Sequence, residues 1–441
     1  MLDIKFIRES PEKVKEALEK RNMSFDVDYL LEVDEKRRGK IREVEEMRKE
    51  QNEMTDRIPT MNGDEKKDLI EASRALKIKI GDGDFELKVL EEEFMSLMFK
   101  IPNMPESWVI VGKDETENKV LREVGEKTTF DFKPRDYIEI GDLLDLIDTG
   151  RAAKVSGARF GYLKHEAPLL EFALVRYAFD FVGSEENIKK IVEKKNLEIS
   201  AKPFIPVVPP VLIKPEAMRA MGYLERGGDE IYHLEKDNLY LVGTSEQSVG
   251  PMHMNEVFEE DKMPHRHIAF STCFRREAGS YGKDTRGILR MHQFDKAEMF
   301  AFVLPETSRH EHQLLLGIEE ALMQGLGVPY HVLDICTGDL GDSAAAKYDL
   351  EAWLPGQKEG AGEYRETHST SNTTDFQSRR LNIKVRRKDG TLEFVHMLNG
   401  TAFAIGRTLI AILENYQQED GSVRVPDILQ PYMGGMEEIR R

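Results

Sequence analysis

Two neighbouring stretches carry residue types that can handle phosphate and a purine ring. Residues 268–277 read IAFSTCFRRE. In a strand, alternation puts Ile268, Phe270 and Phe274 on one face and Cys273, Arg275 and Glu277 on the other. A polar, glycine-containing loop, AGSYGKDTRG (278–287), follows. Residues 288–302, ILRMHQFDKAEMFAF, then place Arg290, Phe294 and Glu298 on one parity. Strands paired across that loop would gather Arg275, Glu277, Arg290, Phe294 and Glu298 on a single surface. A guanidinium grips phosphate oxygens in a bidentate fork. An aromatic face stacks on a base, and a carboxylate accepts from an exocyclic amine. The same residues also make a cross-strand Arg–Glu ladder on a solvated sheet, and parity alone does not separate the two.

Two further stretches suit a small zwitterion and an anion. In LYLVGTSE (239–246), Thr244 and Glu246 share a face at the end of an apolar strand, where a hydroxyl and a carboxylate could hold an ammonium group; a turn cap is the plainer alternative. In VHMLNGTAFAIGRTLIAILENY (395–416), an apolar strand is expected to end at Asn399-Gly400-Thr401. A helix then begins, with Ile405, Leu409, Ile412, Leu413 and Tyr416 as its buried stripe. Arg407 falls in the early turns of that helix. Helix N-termini favour anions, so an arginine there makes sense with a phosphate between them; a surface arginine bonded to a loop is the alternative. Glu366, in RETHS (365–369), is a candidate magnesium ligand, since magnesium takes carboxylates and phosphate oxygens. The sequence has no G-x-x-x-x-G-K-[ST] phosphate loop and no G-x-S-x-G nucleophile elbow. The histidines and the cysteines, Cys273 and Cys336, are not spaced as a metal set.

These residues need elements to carry them. The chain has 441 residues, 40% of them apolar, enough for two or three domains with a sizeable core. Two cysteines rule out a disulfide scaffold and fit a reducing compartment. No run approaches the roughly 18 apolar residues of a membrane span, and the charged start does not read as a secretory leader. The net charge of -18 argues against a non-specific DNA coat but not against docking of one structured RNA, which depends on the local field. Residues 10–20 predict a helix with Ser10 as N-cap and Pro11 in its first turn. A charged helix over 27–58, roughly 45–50 Å long, precedes a break at 59–64. A second helix over 65–100 carries apolar residues at steps of three and four, from Leu69, Ala72, Leu76 and Ile80 to Leu87, Leu90, Phe94 and Leu97. Gly81 and Gly83 are expected to weaken it. The thin seam of the first helix (Ile41, Val44, Met47, Met54, Ile58) makes the pair a projecting antiparallel hairpin, or a solvated spacer. Pro102 and Pro105 end it, and a boundary is expected near 104.

Taken in order, these stretches resemble the class II aminoacyl-tRNA synthetases, and among them the seryl-tRNA synthetase family, over essentially the whole chain. The opening MLDIKFIRESPEKV is similar to that family's N-terminus, and the charged hairpin to its tRNA-binding arm. PFIPVVPPVL (203–212) resembles motif 1, with Pro210 as the motif proline at a dimer interface. FRRE (274–277), its loop and RMHQFDKAE (290–298) resemble motif 2, and LNGTAFAIGRTLIAILENYQ (398–417) resembles motif 3. The resemblance implies an α+β fold: a class II-type antiparallel sheet flanked by helices, preceded by an antiparallel coiled-coil arm. The domains would be an arm over 1–104, with its hairpin at about 27–100, and a catalytic domain over 105–441.

It also implies activation of L-serine with ATP and Mg2+ in the cytoplasm, then transfer to tRNA(Ser), with tRNA(Sec) as a further acceptor, by a homodimer that binds neither membrane nor DNA. Carried over by position, Arg275, Arg407 and Glu366 would be the catalytic set. Arg275 would hold the α-phosphate and the serine carboxylate, and Arg407 the γ-phosphate. Glu277 would read adenine and Phe294 stack on it. Arg276, Arg290, Thr367 and His368 belong to the ATP-binding motifs, and Glu366 with Ser369 would hold magnesium. Thr244, Ser245, Glu246, Glu298, Asn399 and Thr401 would read serine. The chain has Thr-Ser-Glu-Gln where Thr-Ala-Glu-Val is frequent, Glu-Thr-His-Ser where a small residue often precedes the serine, and an additional GQKEGAGE (356–363). None of these removes a functional side chain. Neither cysteine is placed as the zinc-dependent variant of the family requires. A synthetase-like ligase that loads a carrier protein and a catalytically inactive coiled-coil adaptor are the competing readings; the arm argues against the first, the retained Arg275, Arg290 and Arg407 against the second.

Overall fold

The computed structural model describes residues 1–278 and 286–441. Most of the loop expected after Glu277 (279–285) thus lies outside the described residues. The chain forms two compact units, Met1–Pro102 and Asn103–Arg441.

The first unit is helical. Asp3 caps α1 (Ile4–Glu9) by accepting from the Lys5 amide. Pro11 opens α2 (Pro11–Lys20), whereas the Ser10 hydroxyl expected to cap it makes no such bond. The Asp26 carboxylate caps α3 (Val27–Arg57) through the Tyr29 amide at 2.8 Å. A short break leads into α4 (Gly63–Lys100). Val27, Leu30, Val33 and Val44 of α3 and Leu76, Ile80, Phe94 and Met98 of α4 are buried. Ala72, counted as a seam residue, is exposed. Gly83 does not interrupt α4: it lets the helices close, since a Cβ there would lie 2.9 Å from Val44 Cγ2. Asp34, buried at the base, accepts from Arg8 (2.7 and 2.9 Å), Arg37 (3.3 Å) and Arg38 (3.0 Å).

The second unit is built on an eight-stranded sheet. Its strands are β1 (Lys119–Val124), β2 (Ile205–Val207), β3 (His265–Phe274), β4 (Gln293–Val303), β5 (Tyr330–Asp334), β6 (Ala346–Leu354), β7 (Glu363–Asn372) and β8 (His396–Ala404), in spatial order β1-β5-β6-β7-β8-β4-β3-β2. All neighbours are antiparallel except the edge strand β2, which runs parallel to β3. The helices α5 (Glu166–Val182), α6 (Ser308–Leu326) and α7 (Ile405–Asn415) share one core with one face of the sheet. Alternation along β4 decides what each face carries. Ala297, Met299, Ala301 and Val303 enter that core, which leaves Phe294, Lys296 and Glu298 on the opposite face.

Three expected element boundaries move. The strand expected to reach Glu277 ends at Phe274. The Arg275 amide makes one more ladder bond, to His292 O (3.0 Å), and then Glu277 at φ 52° turns the chain away. On the partner strand Arg290 accordingly precedes β4. The strand expected over 239–246 covers only Leu239–Leu241. Beyond it the Gln247 side chain takes the Gly243 amide at 2.7 Å, and Glu246–Val249 winds into a single helical turn, so Thr244 and Glu246 do not share a strand face. Finally β8 runs on to Ala404 rather than ending at 399–401. Thr401, Phe403 and Ala404 keep pairing with Glu298, Ala297 and Lys296 across a register shift.

Candidate active site

The face of the sheet opposite α5, α6 and α7 forms the floor of a cleft of about 790 Å³. Register explains how separate stretches meet there. Phe294 stands opposite Cys273, and Lys296 opposite Ser271, so both point the way Arg275 does. The Arg275 guanidinium lies 5.2 Å from the Phe294 ring centroid and donates from Nε to Gly243 O at 3.1 Å. Glu277 accepts from Arg290 at 2.8 Å. That pair realises the Arg–Glu contact of the plainer reading, but inside a cleft rather than on a solvated sheet. Arg407, in the first turn of α7, donates to the Glu366 carbonyl (2.9 Å) and pairs with its carboxylate (3.2 Å). The Glu366 side chain remains 46% exposed. Its carboxyl is held below the usual carboxylate range: burial opposes this, but Arg407, Lys347 and Arg275 outweigh it.

The cleft also holds two buried carboxylates, Glu246 and Glu298. Glu246 accepts from the Tyr223 hydroxyl, and Glu298 pairs with Lys296 and accepts from Thr401 Oγ1 at 3.4 Å. Burial, and then the charge of Glu298, push Glu246 up to about 7. Burial raises Glu298 as well, against Lys296 and Arg275. The buried Thr244 hydroxyl has no hydrogen-bond partner. Such a group is costly unless something polar meets it, and here it lines the cleft beside Asn399 and Thr401.

Arg275, Glu277, Arg290, Phe294, Glu366, Thr367, Ser369, Arg407, Thr244, Glu246, Glu298, Asn399 and Thr401 all line this cleft. Ser245, Arg276 and His368 do not. Ser245 is fully buried in the turn. Arg276 lies over the Tyr232 ring at 5.2 Å. His368 sits opposite Leu350 on the α5–α6–α7 side of the sheet, against Phe403. Sequence reasoning missed Tyr223, Lys296 and Lys347. Lys296 was detectable, because it shares parity with Phe294 and Glu298. Lys347 Nζ, 2.9 Å from Asp349, and Tyr223, distant in sequence from Glu246, carry no local signal.

The cleft therefore offers guanidinium groups for an oligophosphate, an aromatic face for a base, and carboxylates with an unpaired hydroxyl for an amine. Comparison with known proteins agrees in both units. Residues 1–105 match the model of the seryl-tRNA synthetase N-terminal domain, and residues 231–416 that of the tRNA synthetase class II core domain (G, H, P, S and T). The chain is 44% identical to the serine--tRNA ligase of Dictyoglomus turgidum, over 100% of this chain and 99% of that one. It is also 44% identical to that of Thermobifida fusca, over 98% of each. Among solved structures, the seryl-tRNA synthetase of Pyrococcus horikoshii complexed with ATP superposes with a TM-score of 0.86 at 38% identity, covering 100% and 99% of the two chains. The cytoplasmic serine-tRNA ligase of Naegleria fowleri in complex with AMP gives 0.82 at 34% identity, with the same coverage. With both units matched and full-length relatives at this identity, the chain belongs to the seryl-tRNA synthetase family.

Proposed function

We propose that the protein activates L-serine with ATP and loads it onto tRNA(Ser), through the residues gathered in the cleft. The observation that carries this reading is the convergence of guanidinium groups, an aromatic face and buried carboxylates on one cleft. Glu246, Glu298 and the unpartnered Thr244 hydroxyl line it together with Arg407, paired to Glu366, and Arg275, over the Phe294 ring. A serine ammonium meets the carboxylates. Its carboxylate turns toward Arg275, where the α-phosphate of ATP is held, with adenine against Phe294 and the outer phosphates at Arg407. Both reactants are anionic, so the arginines must offset their repulsion and hold the attacking oxygen in line. That oxygen bonds to the α-phosphorus as the bond to pyrophosphate breaks. The 3′-terminal hydroxyl of the tRNA then takes the seryl group and AMP leaves. No protein nucleophile is needed.

Glu366 and Ser369 give an all-oxygen donor set of the kind magnesium prefers, and the exposed Glu366 carboxylate is accessible to a hydrated ion. When bound there, magnesium would neutralise phosphate charge. On this reading serine is told from alanine by polar groups left unpaired when the hydroxyl is missing, and threonine is excluded sterically. The α3–α4 hairpin is the tRNA-binding arm, and tRNA(Sec) is tested beside tRNA(Ser). The segment 203–212 is the self-association surface, which the exposed Ile205 and Val208 support. No helix among the described residues is long and apolar enough to cross a membrane.

The test is ATP–pyrophosphate exchange with each proteinogenic amino acid, for wild type and Arg275→Ala. Exchange with serine alone, lost in the variant, is expected. Exchange with no amino acid would move the reading to the inactive adaptor; exchange with alanine or glycine would point to a carrier-protein ligase.

A further inference from the structure

Behind the sheet, on the face away from the cleft, α6 carries Glu319. This residue is fully buried, and neither carboxylate oxygen has a hydrogen-bond partner. Burial pushes its carboxyl well above the usual carboxylate range; Glu298, Asp349 and Glu320 push the same way, and Lys296 opposes them. A buried, unpartnered acid destabilises a fold, and an apolar side chain of similar volume would pack there at lower cost. Features of this kind persist where function requires them.

The surroundings locate that function. On β8, Gly400 stands between Asn399 and Thr401. Alternation aims those two at the cleft and turns the position of the missing Gly400 side chain toward α6. A Cβ on Gly400 would lie 3.1 Å from Glu319 Oε1 and 3.1 Å from Thr370 Oγ1. The Thr370 hydroxyl in turn donates to Asn399 O at 2.9 Å. A carboxyl, a hydroxyl and the backbone of the amino-acid-binding strand thus converge in the space that the glycine leaves.

We propose that Glu319 is a positioning residue for the amino-acid pocket: seated against Gly400 from behind the sheet, it fixes the strand that aims Asn399 and Thr401 at the substrate. This rests on the serine-binding reading of the cleft given above. Glu319 touches neither substrate; it acts through the register and height of β8.

Four variants and two readouts test it. Glu319→Met removes the unpartnered acid at similar volume, so it should melt at or above the wild-type temperature. Its kcat/KM for serine should nonetheless fall roughly tenfold, because small misplacements of binding groups are expensive in rate, while KM for ATP is unchanged. Glu319→Gln keeps a polar head in the same space and should restore most of the serine kinetics. Gly400→Ala, whose methyl would meet the carboxyl, should impair serine use as well, and combining it with Glu319→Ala should recover part of the loss. A purely structural residue would lower stability together with serine and ATP kinetics alike. That pattern, or unchanged serine kinetics in Glu319→Met beside an active wild type, would overturn the inference alone. A wild type without serine-dependent exchange would overturn the functional reading and the inference with it.

Discussion

The shift of Glu246 makes the proposed serine site measurable by pH. Its carboxyl is buried beside Glu298 and sits at about 7 rather than in the ordinary carboxylate range. An ammonium group is held by the ionised form, so affinity is lost as pH falls through 7. At pH 6 about a tenth of the protein carries the ionised carboxylate, and at pH 8 about nine tenths, so KM for serine should rise roughly tenfold from pH 8 to pH 6. Glu246→Gln removes a charge-assisted bond worth about 1.5–3 kcal/mol, a rise in KM on the order of 10–150-fold at pH 8, and it should flatten the profile. The empty protein behaves oppositely. A raised carboxyl pKa contributes stability that is full below the ordinary carboxylate range and lost as pH rises through 7, on the order of 3 kcal/mol for this group. Ligand-free Glu246→Gln should therefore gain stability relative to wild type as pH rises. The assay is serine-dependent ATP–pyrophosphate exchange at saturating ATP, with melting curves run in parallel. A wild-type KM for serine that is flat from pH 6 to 8, or a profile unchanged in Glu246→Gln, would refute the assignment of Glu246 to the ammonium.

Other perturbations test other parts. Glu366→Gln should raise the magnesium concentration needed for exchange roughly 10–100-fold, taking the loss known for groups that support metal ligands as a lower guide, with KM for serine little changed. Arg266 is fully buried and bonds both Glu311 oxygens at 2.6 Å. Arg266→Met strands that carboxylate and should cost about 3–5 kcal/mol in denaturant titrations, most of it recovered by Arg266→Met with Glu311→Leu. Gly83→Ala drives a methyl into Val44. Its overpacking cost of about 1–3 kcal/mol exceeds the roughly 1 kcal/mol of helix propensity gained. Faster hydrogen exchange in the hairpin and weaker tRNA charging should follow, with serine-dependent exchange intact.

The sequence carried the strands of the cleft more fully than their ends. Parity alone grouped Phe294 with Glu298 because they lie on one continuous strand with one buried face. It erred at Arg275–Glu277 and at Thr244–Glu246 for a common reason. In both places the backbone leaves the strand for a reason that no local pattern announces: Glu277 takes φ 52° in one, and the Gln247 side chain captures the Gly243 amide in the other. Tyr223 and Lys347 were invisible because they reach the cleft through long-range packing. Resemblance grouped Arg276 and His368 with nucleotide binding by their place in a motif, and the structure turns each toward an aromatic ring outside the cleft. Gly83 was misjudged by propensity. A glycine in a helix costs stability only if nothing uses the space, and here Val44 does.

The charge pairs in the cleft also bear on the acidity of the chain. A net charge of -18 would repel both ATP and tRNA if it were spread evenly. Here Arg275, Arg290, Lys296, Lys347 and Arg407 all line one cleft, and they are oriented respectively by Gly243 O, Glu277, Glu298, Asp349 and Glu366. Each carboxylate partner offsets the charge of its cation, so pairing lowers the cost of burying these cations in the empty site. Substrates then act by exchange. On the proposed reading, a phosphate would displace the Glu366 carboxylate from Arg407, and an ammonium would compete with Lys296 for Glu298. Binding is thereby coupled to release of the pairs that kept the site folded, so the serine and ATP ends should respond separately to mutation while sharing Arg275.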